Sequence, residues 1–433
     1  MIYYASQLEL KEERALMGAT SLDTPLVLRS GSTVANRIAK AAMEEQLASA
    51  HQLPGPGLHR LYRRWAHSGA GLLITGHVMI DRRAVAQPGD IVLESDTPIS
   101  GFQGWAEAAK SGGAQVWMQI NHPGRVVQAD THGRSWAPSA VPVRAGFFSR
   151  FFAPPEEMSQ AQIDEVVARF AATARAADRA GFDGVEVHAA HGYLLSQFLS
   201  PLVNRRTDQW GGSLHDRARL LLAVIRRIRS ATRPGFAVAV KLNSADFQRG
   251  GFDLGDAEKV IAMLAAEEVD LVELSGGSVE SLATAGAPAD GSTLRREAYF
   301  LDLTASLADS AEVPLMLTGG IRRRSVAQRV LDGGFDLVGV ATALAVDPGS
   351  AGRWLDEDEA EVPAPRSSLR SKPLRASAVQ AATTARMHRM AADLPDCSTD
   401  APLRALVVDR VRRGRQLRGY RRWLRLHTPE ALS

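Results

Sequence analysis

Two histidines three residues apart, His188 and His191, follow a short β-branched run (Val185 to Val187), and Tyr193 stands two residues beyond them. A turn-rich loop of Arg, Asp and Gly then completes the segment GFDGVEVHAAHGYLLSQFLSPLVNRRTDQWGGS, residues 181 to 213. If the strand ends at His188 and the chain turns helically through Ala189 and Ala190, residues three apart share a face and the imidazoles point the same way. Two neutral imidazoles can hold one acceptor oxygen between their N–H groups, and a phenol beside them can give a proton. The competing readings are a metal pair and two satisfied structural histidines. Zinc takes three or four protein ligands, and neither the single Cys397 nor any H-E-x-x-H pattern supplies the rest, so no metal is expected.

The elements around this segment repeat one unit: an apolar β-rich run, a polar or Gly-containing loop, then a helix-period stretch. Strands are expected at Arg37 to Met43, Gly71 to Ile80, Gln115 to Asn121, Gly184 to His188, Ala237 to Asn243, Leu271 to Ser275, Pro314 to Thr318 and Asp336 to Ala341. Helices are expected at Leu58 to His67, Gln103 to Lys110, Gln160 to Ala180, Leu214 to Arg229, Asp256 to Ala266, Arg296 to Ser306 and Ser325 to Asp332. Strict alternation over so many units predicts an α/β fold, a closed (β/α)8 TIM barrel. An open doubly wound sheet should carry a G-x-G-x-x-G turn after an early strand, and none is present. The run LVLRSGSTVANR after Pro25 reads as a hairpin plugging one end, and the loop from Pro123 to Ser159 as a lid or rim. Residues 1–353 make up the barrel domain, 354–373 a Pro- and Ser-rich linker, and 374–433 a basic α-helical extension.

Sites in such barrels form where strands run out at their C-terminal ends. There the chain offers Gln119 and Asn121 after the third strand, Lys241 and Asn243 on the fifth, Ser275 to Gly277 after the sixth, and Thr318, Gly319 and Gly320 after the seventh. A Gly-Gly pair after a late strand lets backbone approach an anion such as phosphate, or simply makes a tight turn. Lys241 has two functional readings: a fixed positive charge against an anionic cofactor atom, or a desolvated amine forming a Schiff base, as in a lyase.

Composition excludes several classes. No apolar run reaches the ~18 residues a membrane span requires. The N-terminus, MIYYASQLELKEER, has no basic-then-apolar leader, and one cysteine can neither form an internal disulfide nor hold an iron–sulfur cluster, so the expected location is cytoplasmic. Net charge is only +3, but residues 404–426 carry nine arginines against one acid, Asp409, while residues 356–361 read DEDEAE. Leu406, Val407, Val411, Tyr420 and Leu424 read as a buried stripe on the basic helix. Docking on an acidic patch of its own barrel or of a neighbouring subunit is therefore expected, with a possible homo-oligomer through the extension and neither nucleic acid nor membrane as partner.

With these residues in view, the chain resembles the Old Yellow Enzyme family of FMN-dependent NAD(P)H oxidoreductases. The resemblance runs over about residues 20 to 350 and rests on VEVHAAHGYLLSQFLSPLVNRRTDQWGGS, NRIAKAAMEE at 36–45, MQINHPGR at 118–125 and LTGGI at 317–321. It implies FMN held without a covalent bond, reduced by NADH or NADPH, and hydride passed to an alkene conjugated to a carbonyl or nitro group, the small-molecule substrate. It further implies that His188 and His191 bind the substrate oxygen and that Tyr193 protonates the α-carbon. Ala42, Met43, Gly76, Gln119 and Lys241 would surround the flavin ring, and Gly319, Gly320, Ala341 and Thr342 the phosphate.

The chain also departs from the family pattern. Ala42 replaces the usual Pro, Glu44 a small polar residue, Lys241 an Arg, and Ala341-Thr342 a Gly-Arg pair. A carboxylate at Glu44 close to the flavin would oppose its reduction unless it points away. Oxidation of an amine, an N-methyl group or a saturated carbonyl compound is the alternative within the resemblance. A Schiff-base lyase using Lys241 and a non-catalytic barrel with a nucleic-acid-binding tail lie outside it.

Overall fold

The computed structural model of the chain describes residues 20–280, 298, 301–395 and 402–428. Eight parallel strands close into a ring: β1 (Ile38–Lys40), β2 (Leu72–Ile74), β3 (Gln115–Asn121), β4 (Gly184–Ala189), β5 (Ala237–Asn243), β6 (Leu271–Ser275), β7 (Leu315–Thr318) and β8 (Leu337–Val340), with β8 pairing back onto β1. Outside run α1 (Pro56–Ala66), α2 (Ser100–Lys110), α3 (Gln160–Arg179), α4 (Leu214–Arg229), α5 (Leu254–Ala266), α6 (Leu301–Ser310) and α7 (Arg324–Asp332). The fold is the (β/α)8 barrel that the alternation predicts. Of the helix expected at Arg296 to Ser306, the start lies outside the described residues apart from Ala298. Helix α3 shows how the sequence writes these elements. Ser159 and Gln162 form a reciprocal capping box, and Ile163, Val166, Phe170, Ala174 and Ala177 bury one face at helical spacing.

Strand side chains alternate between the helix layer and the barrel interior, and the interior changes character along its length. Ala39, Leu72, Ile74, Trp117, Ala237, Ala239, Leu271, Met316 and Leu337 form an apolar floor, onto which the hairpin Leu26–Val27/Thr33–Val34 packs with Leu26, Leu28 and Val34. Two residues further along their strands, the same inward rows carry Gln119, Glu186, Lys241 and Glu273, all buried. A period of two thus sends apolar residues to the bottom and polar ones to the C-terminal mouth.

Three expectations need correcting. The run Gly71 to Ile80 is not one strand. It breaks at Gly76, whose N–H leaves the ladder to donate to Glu45 Oε1 (3.0 Å) and Tyr62 Oη (3.1 Å), and resumes as Val78–Met79, paired with Ile91–Val92 and the end of β3. The loop after β3, read as a lid or rim, is not at odds with that reading: it is held by short 3-10 turns and by buried Arg125, which donates to the carbonyls of Val141 (3.1 Å) and Pro142 (3.0 Å) and pairs with Glu280 (3.0 Å). The DEDEAE run meets Arg322, Arg324 and Arg353 of the barrel rather than the basic tail. In the tail itself, Val407 and Val411 are 64% and 52% exposed, and Leu406 is only partly buried.

Two helices follow the barrel, α8 (Lys372–Ala391) and α9 (Pro402–His427). Helix α8 packs on α1, where Arg60 donates to the Ala391 carbonyl (2.8 Å). Helix α9 docks through Arg413 on Asp130 (2.7 Å) and through its second half, where Tyr420, Trp423 and Leu424 form one cluster with Met79, Val85, Ala86 and Val92. Tyr420 is fully buried and its hydroxyl donates to the Arg82 carbonyl (2.8 Å). Tyr420→Ala is expected to lower stability by about 3 kcal/mol, the scale of losing a buried aromatic ring and leaving a carbonyl without its donor. Urea denaturation checks this, and a loss below about 1 kcal/mol would mean that α9 is not docked there.

Candidate active site

The site is built at the C-terminal ends of the barrel strands. Strand β4 runs one residue further than expected, through Ala189, and the chain then turns sharply. His191 (φ 61°) and Gly192 (φ 77°) both take left-handed backbone. The two histidines therefore meet across a tight bend, not along a helical turn through Ala189 and Ala190, because two successive positive φ values reverse the chain before the short helix at Leu194 begins. A left-handed non-glycine residue costs roughly 1–2 kcal/mol. The bend is held by Asn243 Oδ1, which accepts the His191 N–H (3.1 Å), while the Asn243 amide donates to the Gly277 carbonyl (2.9 Å).

The imidazoles of His188 and His191 stand 5.0 Å apart, edge to face, and the Tyr193 ring lies 5.0 Å from that of His188. Burial, reinforced by the charges of His191, Lys241 and His77, pushes the His188 imidazole well below its usual range, and burial followed by Lys241 brings His191 down to about 3. Both are neutral at physiological pH. The Ala190 N–H donates to His188 Nδ1 (3.3 Å), so Nε2 carries the proton. His191 Nε2 bonds with the Ser275 hydroxyl (2.8 Å), which leaves Nδ1 as its other nitrogen.

Below them lies a buried charged layer. Lys241 donates to Glu273 Oε1 (2.6 Å), and Gln119 Nε2 donates to Glu186 Oε2 (2.6 Å). Burial and the neighbouring Glu273 charge raise Glu186 well above the carboxylate range, so Glu186 keeps a proton. Burial also opposes ionisation of Glu273, but Lys241 and the Glu186 hydrogen bond outweigh it and hold Glu273 down as the anion. Sequence reasoning missed both carboxylates. The signal was available: Glu186 and Glu273 stand two residues before His188 and Ser275 on the same inward rows.

The remaining expected residues ring this layer. Ala42 packs on the apolar floor, and Met43 abuts Gly76 through its carbonyl, where a Cβ would also strike Glu45. Gly319 (φ 147°) and Gly320 (φ 70°) end β7, and Ala341 caps the short helix that Thr342 opens. With no Cβ at Gly319 and Gly320 and both in positive-φ backbone, the chain at the top of β7 can approach an anion closely, which fits a phosphate without the arginine this chain lacks. Buried Lys241, the lysine of this polar layer at the mouth, likewise fits the electron-accepting edge of a planar ring, whereas the space at Gly76 is taken by Glu45 and the Met43 carbonyl. Among the described residues, no cluster of three or more His, Cys, Asp or Glu could hold a metal ion, and no helix is long and apolar enough to cross a membrane.

A second polar group, also missed by sequence reasoning apart from Glu44, flanks Tyr193. The Tyr193 hydroxyl donates to Glu44 Oε1 (3.1 Å), and His77 Nε2 lies 3.6 Å from both Glu44 and Asp90. Asp90 comes from the excursion after β2 and could be placed there only by the fold.

Residues 21–355 match the model of the NADH:flavin oxidoreductase / NADH oxidase family. The chain is 37% identical over 346 residues to the NADH-dependent flavin oxidoreductase iliE of Hypocrea jecorina (strain QM6a), covering 75% of this chain and 86% of that protein. It is 31% identical over 343 residues to the NADH:acrylate oxidoreductase of Vibrio harveyi, covering 77% of this chain and 33% of that longer protein. Among solved structures, an Old Yellow Enzyme homologue from Zymomonas mobilis superposes with a TM-score of 0.67 at 23% identity, over 79% of this chain and 94% of that one, a likeness of fold.

Proposed function

The chain belongs to the NADH:flavin oxidoreductase / NADH oxidase family, and from that premise we propose that it reduces carbon–carbon double bonds conjugated to a carbonyl or nitro group. It is an NAD(P)H-dependent oxidoreductase with FMN as cofactor. When bound, FMN supplies the alkene with hydride taken from NADH or NADPH. Ala42, Met43, Gly76, Gln119 and Lys241 would hold its ring, and Gly319, Gly320, Ala341 and Thr342 its phosphate.

The observation that carries the reading is the pair of neutral imidazoles 5.0 Å apart. His188 presents Nε2–H. With the Ser275 hydroxyl donating to Nε2 of His191, Nδ1–H becomes the second donor. Two such donors on a carbonyl oxygen polarise the conjugated alkene and stabilise the negative charge that gathers on that oxygen, the task of an oxyanion hole. Because both rings stay neutral, each donates without competing for the substrate's proton. Tyr193, beside His188, gives its hydroxyl proton to the α-carbon. A relative that bears the name NADH:acrylate oxidoreductase supports an activated alkene as the substrate class.

The Lys241 nitrogen is engaged by Glu273 at 2.6 Å inside the barrel, which argues against the free amine that Schiff-base chemistry needs. The experiment is the visible spectrum of the purified protein, then anaerobic NADH or NADPH, then a panel of enones, nitroalkenes and amines. A yellow protein bleached by the nicotinamide and recoloured by an enone is the expected result. Recolouring by none of the alkenes, with oxidation of an amine instead, would overturn the assigned direction.

A further inference from the structure

Glu44, His77, Asp90 and Asn121 take no direct part in the reaction above, yet they form a continuous polar line behind Tyr193. Tyr193 Oη donates to Glu44 Oε1 (3.1 Å), Glu44 Oε1 lies 3.6 Å from His77 Nε2, and Asp90 Oδ1 lies 3.6 Å from the same nitrogen. Asp90 is itself held by the Gln87 N–H (2.7 Å). On the other side of the ring, His77 Nδ1 lies 3.2 Å from the Asn121 amide nitrogen, while the Asn121 oxygen is buried without a partner. As placed, the amide N–H donates to a neutral Nδ1; exchanging the amide oxygen and nitrogen by a side-chain flip reverses the bond to Nδ1–H···Oδ1 and accommodates the imidazolium. Both His77 nitrogens then carry protons, and the imidazolium faces two carboxylates.

The groups that face His77 are Glu44 and Glu45 after β1, Asp90 from the excursion after β2, and His188, His191 and Tyr193 from the β4 bend. Burial works against the imidazolium, but Glu44 and Asp90 outweigh it and carry His77 up to about 9. Tyr193, buried and beside the Glu44 charge, is held well above the usual phenol range. A phenolate left next to a carboxylate is therefore doubly disfavoured, and its proton must be replaced at once. His77 is the nearest group with one to spare.

We infer that Glu44 and His77 form a proton-return line to Tyr193, acting through it as positioning and proton-supplying residues. This rests on the alkene-reduction reading. When Tyr193 protonates the α-carbon, a C–H bond forms and its own O–H bond breaks. His77 Nε2, which has no hydrogen-bond partner at rest, closes from 3.6 Å onto Glu44 Oε1 and gives it a proton, and the Glu44 proton passes to the phenolate. Neutral His77 is recharged from water through Glu44, whose side chain is 25% exposed and reaches solvent. No oxidant or reductant enters. The same imidazolium offsets the Glu44 charge that would otherwise oppose flavin reduction.

The test uses the full-length holoenzyme with a simple enone, in wild-type, Glu44→Gln, His77→Asn and Glu44→Asp forms. Glu44→Gln is expected to slow the enone half-reaction by about 100-fold, a general acid–base effect, with NADH consumption in the reductive half-reaction changed by less than about threefold. The wild-type rate is expected to fall through an alkaline limb near pH 9 that His77→Asn should remove, and Glu44→Asp should restore part of the rate. Separately from turnover, nitrogen NMR of the flavin-free protein should show the His77 imidazolium persisting to about pH 9 and losing its proton at lower pH in Glu44→Gln. An enone half-reaction untouched by Glu44→Gln, or a His77 that titrates as an ordinary imidazole in the wild type, overturns the inference while leaving alkene reduction standing. A wild type that reduces no alkene removes both.

Discussion

Replacing His188 with alanine is expected to slow enone reduction by ~2–4 kcal/mol, the loss typical when one oxyanion donor is removed. Reduction of the bound flavin by NADH should be affected far less. Rapid-mixing measurements of the two half-reactions at the flavin absorbance separate these effects, and equal losses in both would remove the oxygen-binding role. His191 refines the expectation. Alanine there loses the donor and must also sit at φ 61°, so His191→Ala should lose stability as well as rate. Asparagine tolerates left-handed backbone and keeps an N–H, so His191→Asn should recover the stability and part of the rate. Ser275→Ala frees the His191 tautomer and should fall between wild type and His191→Ala.

Lys241→Met is the second large effect, and it is expected in the protein before any substrate is added. The change strips Glu273 of its cation inside a barrel where Glu186 already lies alongside, and removing one partner of a buried pair costs about 3–5 kcal/mol. The double change Lys241→Met/Glu273→Gln should return most of that stability, since no uncompensated charge is left behind. It should not return flavin affinity if Lys241 contacts the ring. Urea unfolding of the flavin-free protein, together with the fraction of FMN retained through gel filtration, distinguishes the two. A single variant as stable as wild type would mean that the Glu273 carboxylate is protonated rather than paired.

The barrel was legible because each strand is buried on both faces and bounded by turn residues. Gln115–Asn121, Ala237–Asn243 and Leu271–Ser275 begin and end where their apolar runs do. Strand β2 was misread because a ladder break depends on what a backbone N–H finds in space, and Gly76 finds Glu45 and Tyr62. The histidine spacing pointed to two side chains that the fold does bring within 5.0 Å, but for the wrong local reason. Three residues apart suits a helical turn, whereas the bend uses left-handed backbone that a histidine adopts only when Asn243, fifty-two positions away, secures it. Glu186 and Glu273 were within reach of a period-two reading, but charged residues in a barrel interior run against burial preference until their partners are known. His77 and Asp90 had no such signal, since the pair exists only once the excursion after β2 folds back over the mouth. The tail was half legible. Its apolar spacing marks a helix, but only contact with Met79, Val85, Ala86 and Val92 decides that the Tyr420 end faces inward while Val407 and Val411 face water.

Helix α9 gives this enzyme a wall that its barrel does not contain, because the cluster of Tyr420, Trp423 and Leu424 that seals the excursion after β2 also abuts the ring of Tyr193. Acceptor range is thereby open to redesign from a part of the chain that carries none of the strands. Trimming or enlarging Trp423 would reshape the surface against which the Tyr193 ring packs, so changes on one peripheral helix reach the proton donor without touching a barrel strand.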